Sequence, residues 1–312
     1  MFAGLALAAA VAAQTYPSKP VSMIVAFPPG GGSDVLGRAV GKGMADVFGQ
    51  PVIVENVVGV GGSLGVLKAT NAQPDGYTLL AGSPLELIYT PLGVAAAKNK
   101  PEDMRLAALV GHTPIAIAVR KDLPVNTLDE FAAFAKKADK PLSYGSTGMG
   151  SLYHLMAEKA LQTAGARGLH APYNGMAPAL NDLLGGQVIG FFADVPAVMA
   201  QIKGGKLRAL GMASKTRHPL LQDVKTFEEQ GFKSVDTNNW YGFFVSSKTS
   251  PDMIKTLNRA IQQAVADPAA NAKLTQSGAE PKTTTPEELG AILAADTDKW
   301  ARLIKARNIT AD

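Results

Sequence analysis

Two glycine-rich turns carry most of the polar chemistry this chain displays. The first is Phe27-Pro28-Pro29-Gly30-Gly31-Gly32-Ser33-Asp34. It follows an apolar run, 21–26, that reads as a buried strand. It precedes Leu36, Val40, Met44 and Val47, spaced as on one face of a helix. A strand that ends at Pro-Pro, passes three glycines and enters a helix at Ser33-Asp34 leaves main-chain N–H groups uncovered beside the positive end of a helix dipole. Such a turn can hold an anion. A tight turn in which glycine only relieves crowding is the plain alternative, and this segment alone does not separate the two.

The second turn is Tyr144-Gly145-Ser146-Thr147-Gly148-Met149-Gly150-Ser151, followed by Leu152-Tyr153-His154. It offers N–H groups, the hydroxyls of Ser146, Thr147 and Ser151, and again a helix start. Its chemical match to the first turn favours a shared role. Facing each other across a cleft, the two would present neutral donors. That suits a carboxylate that must bind and leave, whereas a Lys or Arg clamp holds harder.

Three further side chains invite chemistry. His154 can in principle activate Ser151 or Ser146, the basis of a hydrolase alternative. No orienting acid follows from spacing, so a donor to a bound carboxylate or a loop brace is the simpler role. Asp194, after Gly190-Phe191-Phe192-Ala193, and Glu86, in Ser83-Pro84-Leu85-Glu86, are acids at the carboxyl ends of strands, where α/β proteins place their ligands. Each would accept from a ligand amine or hydroxyl. Helix capping for Asp194 and solvent exposure for Glu86 are the competing roles.

Other chemistries lack their residues. The chain has no cysteine, which removes disulfides, thiolate nucleophiles and cysteine zinc sites. His112, His154, His170 and His218 are dispersed, so no metal is expected. Gly59-Val60-Gly61-Gly62-Ser63-Leu64-Gly65 misses the dinucleotide spacing, and no phosphate-binding G-x-x-x-x-G-K-[ST] occurs, so no cofactor is expected. A net charge of +4 on scattered Lys and Arg, with 6% aromatics, argues against a nucleic-acid surface.

The elements that must position these residues alternate. Strands are expected at 21–26, 51–55, 77–82, 115–119, 142–145, 188–193, 207–213 and 240–245. Helices are expected at 33–48, 63–71, 128–138, 151–164, 177–184, 195–204, 227–230, 252–266 and 286–307, with Thr127 capping the helix at 128 and Glu130 at its third position. This alternation predicts an α/β fold with a parallel or mixed sheet. Its 312 residues suffice for two domains. The polar segments Arg120–Pro124 and Asp236–Asn239 are candidate crossings. They divide the chain into one lobe of 14–120 plus 240–312 and an inserted lobe of 121–239. Residues 1–13, alanine-rich and too short to span a bilayer, read as a signal-peptide remnant without its basic start, so export is expected.

At this point the chain resembles a known family, the periplasmic solute receptors of tripartite tricarboxylate transporters, or Bug proteins. The resemblance is carried by Tyr16-Pro17-Ser18-Lys19-Pro20, the Phe27–Asp34 turn, Gly49-Gln50-Pro51-Val52-Ile53-Val54-Glu55-Asn56 and Pro74-Asp75-Gly76-Tyr77-Thr78-Leu79-Leu80. It continues through Tyr144–Ser151 with His154, Pro172-Tyr173-Asn174-Gly175, Asp182-Leu183-Leu184-Gly185-Gly186-Gln187, Lys203–Leu210 and Gly278-Ala279-Glu280-Pro281.

The resemblance implies a type II periplasmic-binding-protein fold: two α/β lobes joined by two crossover segments around a ligand cleft, without catalysis. It implies that both turns hold a ligand carboxylate. That places Phe27, Pro29, Gly30, Gly31, Gly32 and Asp34 on one side and Ser146, Thr147, Gly150 and Ser151 on the other. Ser83, His154, Tyr173 and Asp194 match positions lining the family cleft. The stretch Leu85-Glu86-Leu87-Ile88-Tyr89-Thr90-Pro91 departs from the family's Asn-Pro and aromatic pattern, and with Glu86 it points to an altered distal pocket. The expectation is an exported, periplasmic, monomeric receptor. Its ligand would be a small organic carboxylate: a di- or tricarboxylate, an acidic amino acid or an aromatic carboxylate. It would deliver that ligand to integral-membrane transporter subunits. A serine hydrolase using Ser151 and His154, and a ligand-sensing subunit for a membrane sensor kinase, are the alternatives.

Overall fold

A computed structural model describes residues 16–149, 151–232 and 238–307. The expected signal segment at 1–13, Gly150, and Asp236 and Thr237 of the Asp236–Asn239 crossing lie outside them.

The first half opens with β1 (Val21–Val25), buried nearly throughout because it runs parallel between β2 (Val52–Asn56) and β3 (Thr78–Gly82). Between β1 and β2 lies α1 (Gly32–Phe48), which buries Leu36, Val40 and Met44. α2 (Ser63–Thr70) leads into β3. After β3, a π-helical turn at Leu85–Tyr89 runs into the short α3 (Thr90–Gly93).

β4 (Met104–Arg120) then spans both halves of the molecule. The expected strand at 115–119 is only its second part. Gly111, His112 and Pro114 disguised the first part, which carries two register shifts.

The second half contains α4 (Leu128–Lys137), β5 (Leu142–Ser146), α5 (Leu152–Ala164), β6 (Gly168–Pro172) and α6 (Met176–Gly185). It continues through β7 (Gly190–Asp194), α7 (Val195–Lys203) and β8 (Leu207–Met212). The Thr127 hydroxyl accepts from the Glu130 N–H and caps α4 as its sequence predicted. β9 (Asn238–Ser246) returns to the first half. α8 (Pro251–Ala266), α9 (Pro268–Ser277), β10 (Glu280–Pro281) and α10 (Pro286–Arg307) follow. β6 and α9 were not anticipated.

The strand order is β2-β1-β3-β9-β4-β7-β5-β6, with β8 and β10 also paired to β4. β4 pairs antiparallel with β9 from Met104 to Pro114, then with β7 and β8 from Ile115 onward. Proline has no N–H for a ladder, and Pro114 stands where the partners change. The expected passage at Arg120–Pro124 therefore falls after the crossing, which occurs inside a strand. Val21, Met23, Leu36, Val40 and Leu257 belong to the core under α1 and α8. Phe191, Phe192, Leu183 and Val198 belong to a second core that continues through Ile24, Leu80 and Phe244 of the first half. Among the described residues no helix is long and apolar enough to cross a membrane.

Candidate functional site

The two glycine turns meet at a cleft between the halves of the sheet. Gly31, Gly32 and Ser33 line it from the start of α1, and Thr147 from the second turn. Gly175 and Met176 line it from the start of α6, and Ser83 and Leu85 from the turn after β3. Phe27, Tyr153 and Tyr241 complete the walls around about 320 Å³ of space, part of it open to solvent. A larger apolar hollow, walled by residues such as Phe131, Leu161 and Phe191, lies between α4, α5 and the sheet. It contains neither glycine turn.

Glycine caps both helices that start at the cleft. The N-cap of α1 is Gly31 and that of α6 is Gly175, and neither has a side-chain cap. Their first-turn donors are thus left to the main chain and to whatever enters the cleft. Gly32 has a packing reason as well: a Cβ there would collide with the Tyr241 hydroxyl and lie 3.0 Å from Asp194 Oδ2. Gly175 holds φ +106°, and a Cβ would come within 3.2 Å of Pro28 Cδ and 3.3 Å of Phe27 Cδ1. The β1–α1 and β6–α6 turns therefore approach closely at the mouth.

Thr147 presents the clearest unmet demand. Its residue is 5% exposed, it lines the cleft, and its hydroxyl has no hydrogen-bond partner among the described residues. Buried polar atoms are normally paired, so this hydroxyl is suited to a ligand.

Asp34 has a different setting. Its carboxylate accepts from the Gly30 N–H at 3.0 Å, from Arg38 Nε at 3.0 and 3.1 Å, and from Asn56 Nδ2 at 3.0 Å. Asn56 Nδ2 also donates to the Phe27 carbonyl at 2.8 Å. Burial pushes the Asp34 pKa up, but these donors outweigh it and hold the pKa below the usual aspartate value. The side chain thus braces the turn internally. Pro29 and Gly30 lie on the same turn but are not among the walls of the cleft.

In the second turn, Ser146 is fully buried. Its Oγ lies 2.6 Å from His170 Nε2 and accepts from the Gly148 N–H at 3.1 Å. Ser151 caps α5, its Oγ accepting from the His154 main-chain N–H at 3.3 Å. The His154 ring stacks on His170, centroids 3.8 Å apart and 6° from parallel. Burial lowers both pKa values, and His154 lowers that of His170 further, to about 4. His170 Nδ1 is buried without a hydrogen-bond partner among the described residues, so no carboxylate orients the ring as a base. The Tyr173 hydroxyl donates to Asp182 at 2.7 Å, and its N–H to the Ser146 carbonyl at 3.0 Å. Tyr173 therefore ties β6 to the second turn.

Two acids lie buried behind the cleft walls. Glu86 is fully buried, accepting from the Ser83 N–H at 2.7 Å and the Ser83 hydroxyl at 2.6 Å; burial pushes its pKa up to about 7. Solvent exposure, one of its competing sequence roles, is thus overturned: the π-helical turn folds Glu86 back onto Ser83. Asp194 is also fully buried. It accepts from the Tyr241 hydroxyl and from Asn239 Nδ2 at 3.1 Å, and burial pushes its pKa up to about 6. It stands at the N-cap position of α7, but its side chain caps nothing. Asn239 Nδ2 also donates to Tyr153 Oη at 3.1 Å.

Tyr153, Met176 and Tyr241 were not anticipated as cleft residues. Tyr153 adjoins His154 and Met176 follows a glycine cap, so both were within reach of local reading. Tyr241 is brought in only by the pairing of β9.

A family model described as "Tripartite tricarboxylate transporter family receptor" matches residues 36–309. Protein BugT of Bordetella pertussis strain Tohama I is 33% identical over 303 residues, 96% of this chain and 92% of its own length. The solved periplasmic binding protein BugD is similar at TM-score 0.89 and 32% identity, over 95% of this chain and all of its own. Rpa4515 of R. palustris, solved with adipate, matches at TM-score 0.89 and 26% identity over 95% of this chain and 99% of its own. MatC of Rhodopseudomonas palustris, with bound malate, matches at TM-score 0.85 and 26% identity over 93% of this chain and all of its own.

Proposed function

The chain belongs to the tripartite tricarboxylate transporter receptor family. From that premise we propose that it is an exported, periplasmic receptor for a small organic carboxylate, which it delivers to an integral-membrane transporter. Thr147 carries this reading: a buried hydroxyl without a partner among the described residues, in a cleft that two glycine-capped helix starts also face. Hydrogen bonds to a charged group contribute about 1.5–3 kcal/mol each. Two or three from the α1 start and Thr147 amount to about 3–9 kcal/mol before the cost of association, which leaves an affinity of about micromolar or weaker. That range suits a ligand that must be released.

The two lobes divide inside β4 near Pro114, six residues before the expected boundary at 120, and again near Asn239 in β9. They close about β4 and β9, which run antiparallel between them. No catalytic step is assigned. Ser151 is spent as a cap, and the close Ser146–His170 pair is buried without an orienting acid among the described residues. The receptor acts as a monomer, and Glu86 and Asp194 shape the pocket from behind. The test is calorimetric titration with di- and tricarboxylates, acidic amino acids and pyridine carboxylates. A saturable heat with at least one of them, accompanied by thermal stabilisation, is expected. Silence across the panel contradicts the reading.

A further inference from the structure

Resting on the carboxylate-receptor reading, we infer that the cleft selects a zwitterion, a carboxylate that also bears an ammonium, over a dicarboxylate of the same length. The charge around the cleft is one-sided. Asp194 lies behind Tyr241 and Tyr153, and Glu86 behind Ser83; both carboxyl groups are fully buried. Among the described residues neither forms an ion pair with Lys or Arg. None of the described residues lining the cleft is Lys, Arg or His.

The Tyr241 and Ser83 hydroxyls in these walls are already committed. Tyr241 donates its proton to Asp194 and Ser83 donates its proton to Glu86. A hydroxyl has one proton and two lone pairs, so toward the cleft these oxygens act as acceptors. One ligand carboxylate has the α1 and α6 starts, which approach each other at the mouth, and the Thr147 hydroxyl to meet. A second would find acceptors, like charge and no cation in a low-dielectric site, which is costly. An ammonium instead supplies both the missing donors and the missing countercharge. Burial pushes Asp194 up to about 6 and Glu86 up to about 7, so at pH 7.5 both are mainly ionised and a nearby ammonium would favour their charged forms.

The experiment is calorimetric titration of the wild-type protein at pH 7.5 with matched pairs: 3-aminopropanoate and succinate, 4-aminobutanoate and glutarate, 5-aminopentanoate and adipate. The amino member of the best-fitting pair is expected to bind about tenfold tighter or more, a difference of about one power of ten in Kd. Glu86→Gln and Asp194→Asn, each close in shape to the parent, should narrow that ratio. A dicarboxylate that binds as tightly as its amino counterpart, or tighter, overturns the inference and leaves the receptor reading standing. A ratio unchanged in both variants overturns the charge argument behind it. Absence of binding by either series and by aromatic carboxylates overturns both.

Discussion

The Tyr241 hydroxyl on β9 donates to the Asp194 carboxylate at the end of β7, so a strand of the first sheet half holds a buried acid of the second. Tyr241→Phe removes that donor and leaves Asp194 with Asn239 and Tyr153. The variant is expected to lose about 1–3 kcal/mol of stability at pH 8, the usual cost of an under-satisfied buried group. The deficit should shrink at pH 5, where the carboxyl, with its pKa of about 6, carries its proton. Urea denaturation at the two pH values measures this.

In the ligand-free protein Asp194 and Glu86 should contribute a loss of stability as pH rises from about 4 to about 7, opposed by the gain from His112, His154, His170 and His218, whose pKa values burial lowers. Asp194 rises from 3.8 to about 6 and Glu86 from 4.5 to about 7 on folding, so the native state holds protons that the unfolded chain has released. Their contribution is full below the unfolded values and gone above the folded ones. The other titratable groups acting on them, Tyr89, Tyr153 and Tyr241, have raised pKa values and stay neutral throughout this window. Glu86→Gln should remove the Glu86 share alone, seen as a difference in denaturation midpoint from the wild type that changes between pH 4.5 and 7.

Asp34→Ala is expected to weaken every bound carboxylate by a similar factor, because Asp34 shapes the first turn through Gly30, Arg38 and Asn56. Titration of several ligands measures it. A change in ligand preference instead would show that Asp34 contacts the ligand.

Ser151→Ala should cost about 1 kcal/mol, the loss of an N-cap. It should leave ligand affinity within a few-fold, since the hydroxyl faces its own helix start. Thermal denaturation with and without ligand separates the two effects.

What the sequence disclosed was mostly local. The β1 run, the glycine turn and the spacing of Leu36, Val40 and Met44 lie within one short segment, and the structure places them as read. The Thr127–Glu130 cap and the bounds of α10 were equally legible. Asp34 shows where local reading ends. Its partner Arg38 stands four residues on, at visible helical spacing, but Asn56 reaches it only because β2 pairs with β1. For Glu86 the sequence left a cleft acid and a surface acid both open, because nothing in Ser83-Pro84-Leu85-Glu86 announces a π-helical turn.

Tyr241 and Asn239 enter the site through β9, about 45 residues beyond Asp194, and only topology brings them there. β4 was underestimated for the opposite reason. Its glycine and proline, which locally signal a break, are bulge and switch positions in a strand serving two halves. For α9 the evidence was present: Asp267 caps and Pro268 opens the helix.

The central claim is that a ligand carboxylate occupies the cleft at the start of α1 beside Thr147. A crystal structure with the tightest-binding carboxylate tests it most directly. The account predicts carboxylate oxygens about 3 Å from main-chain nitrogens of Gly31–Ser33 and from Thr147 Oγ1, directly or through one water. A ligand seated in the apolar hollow under α4 and α5, or with its carboxylate turned away from Thr147, would contradict it.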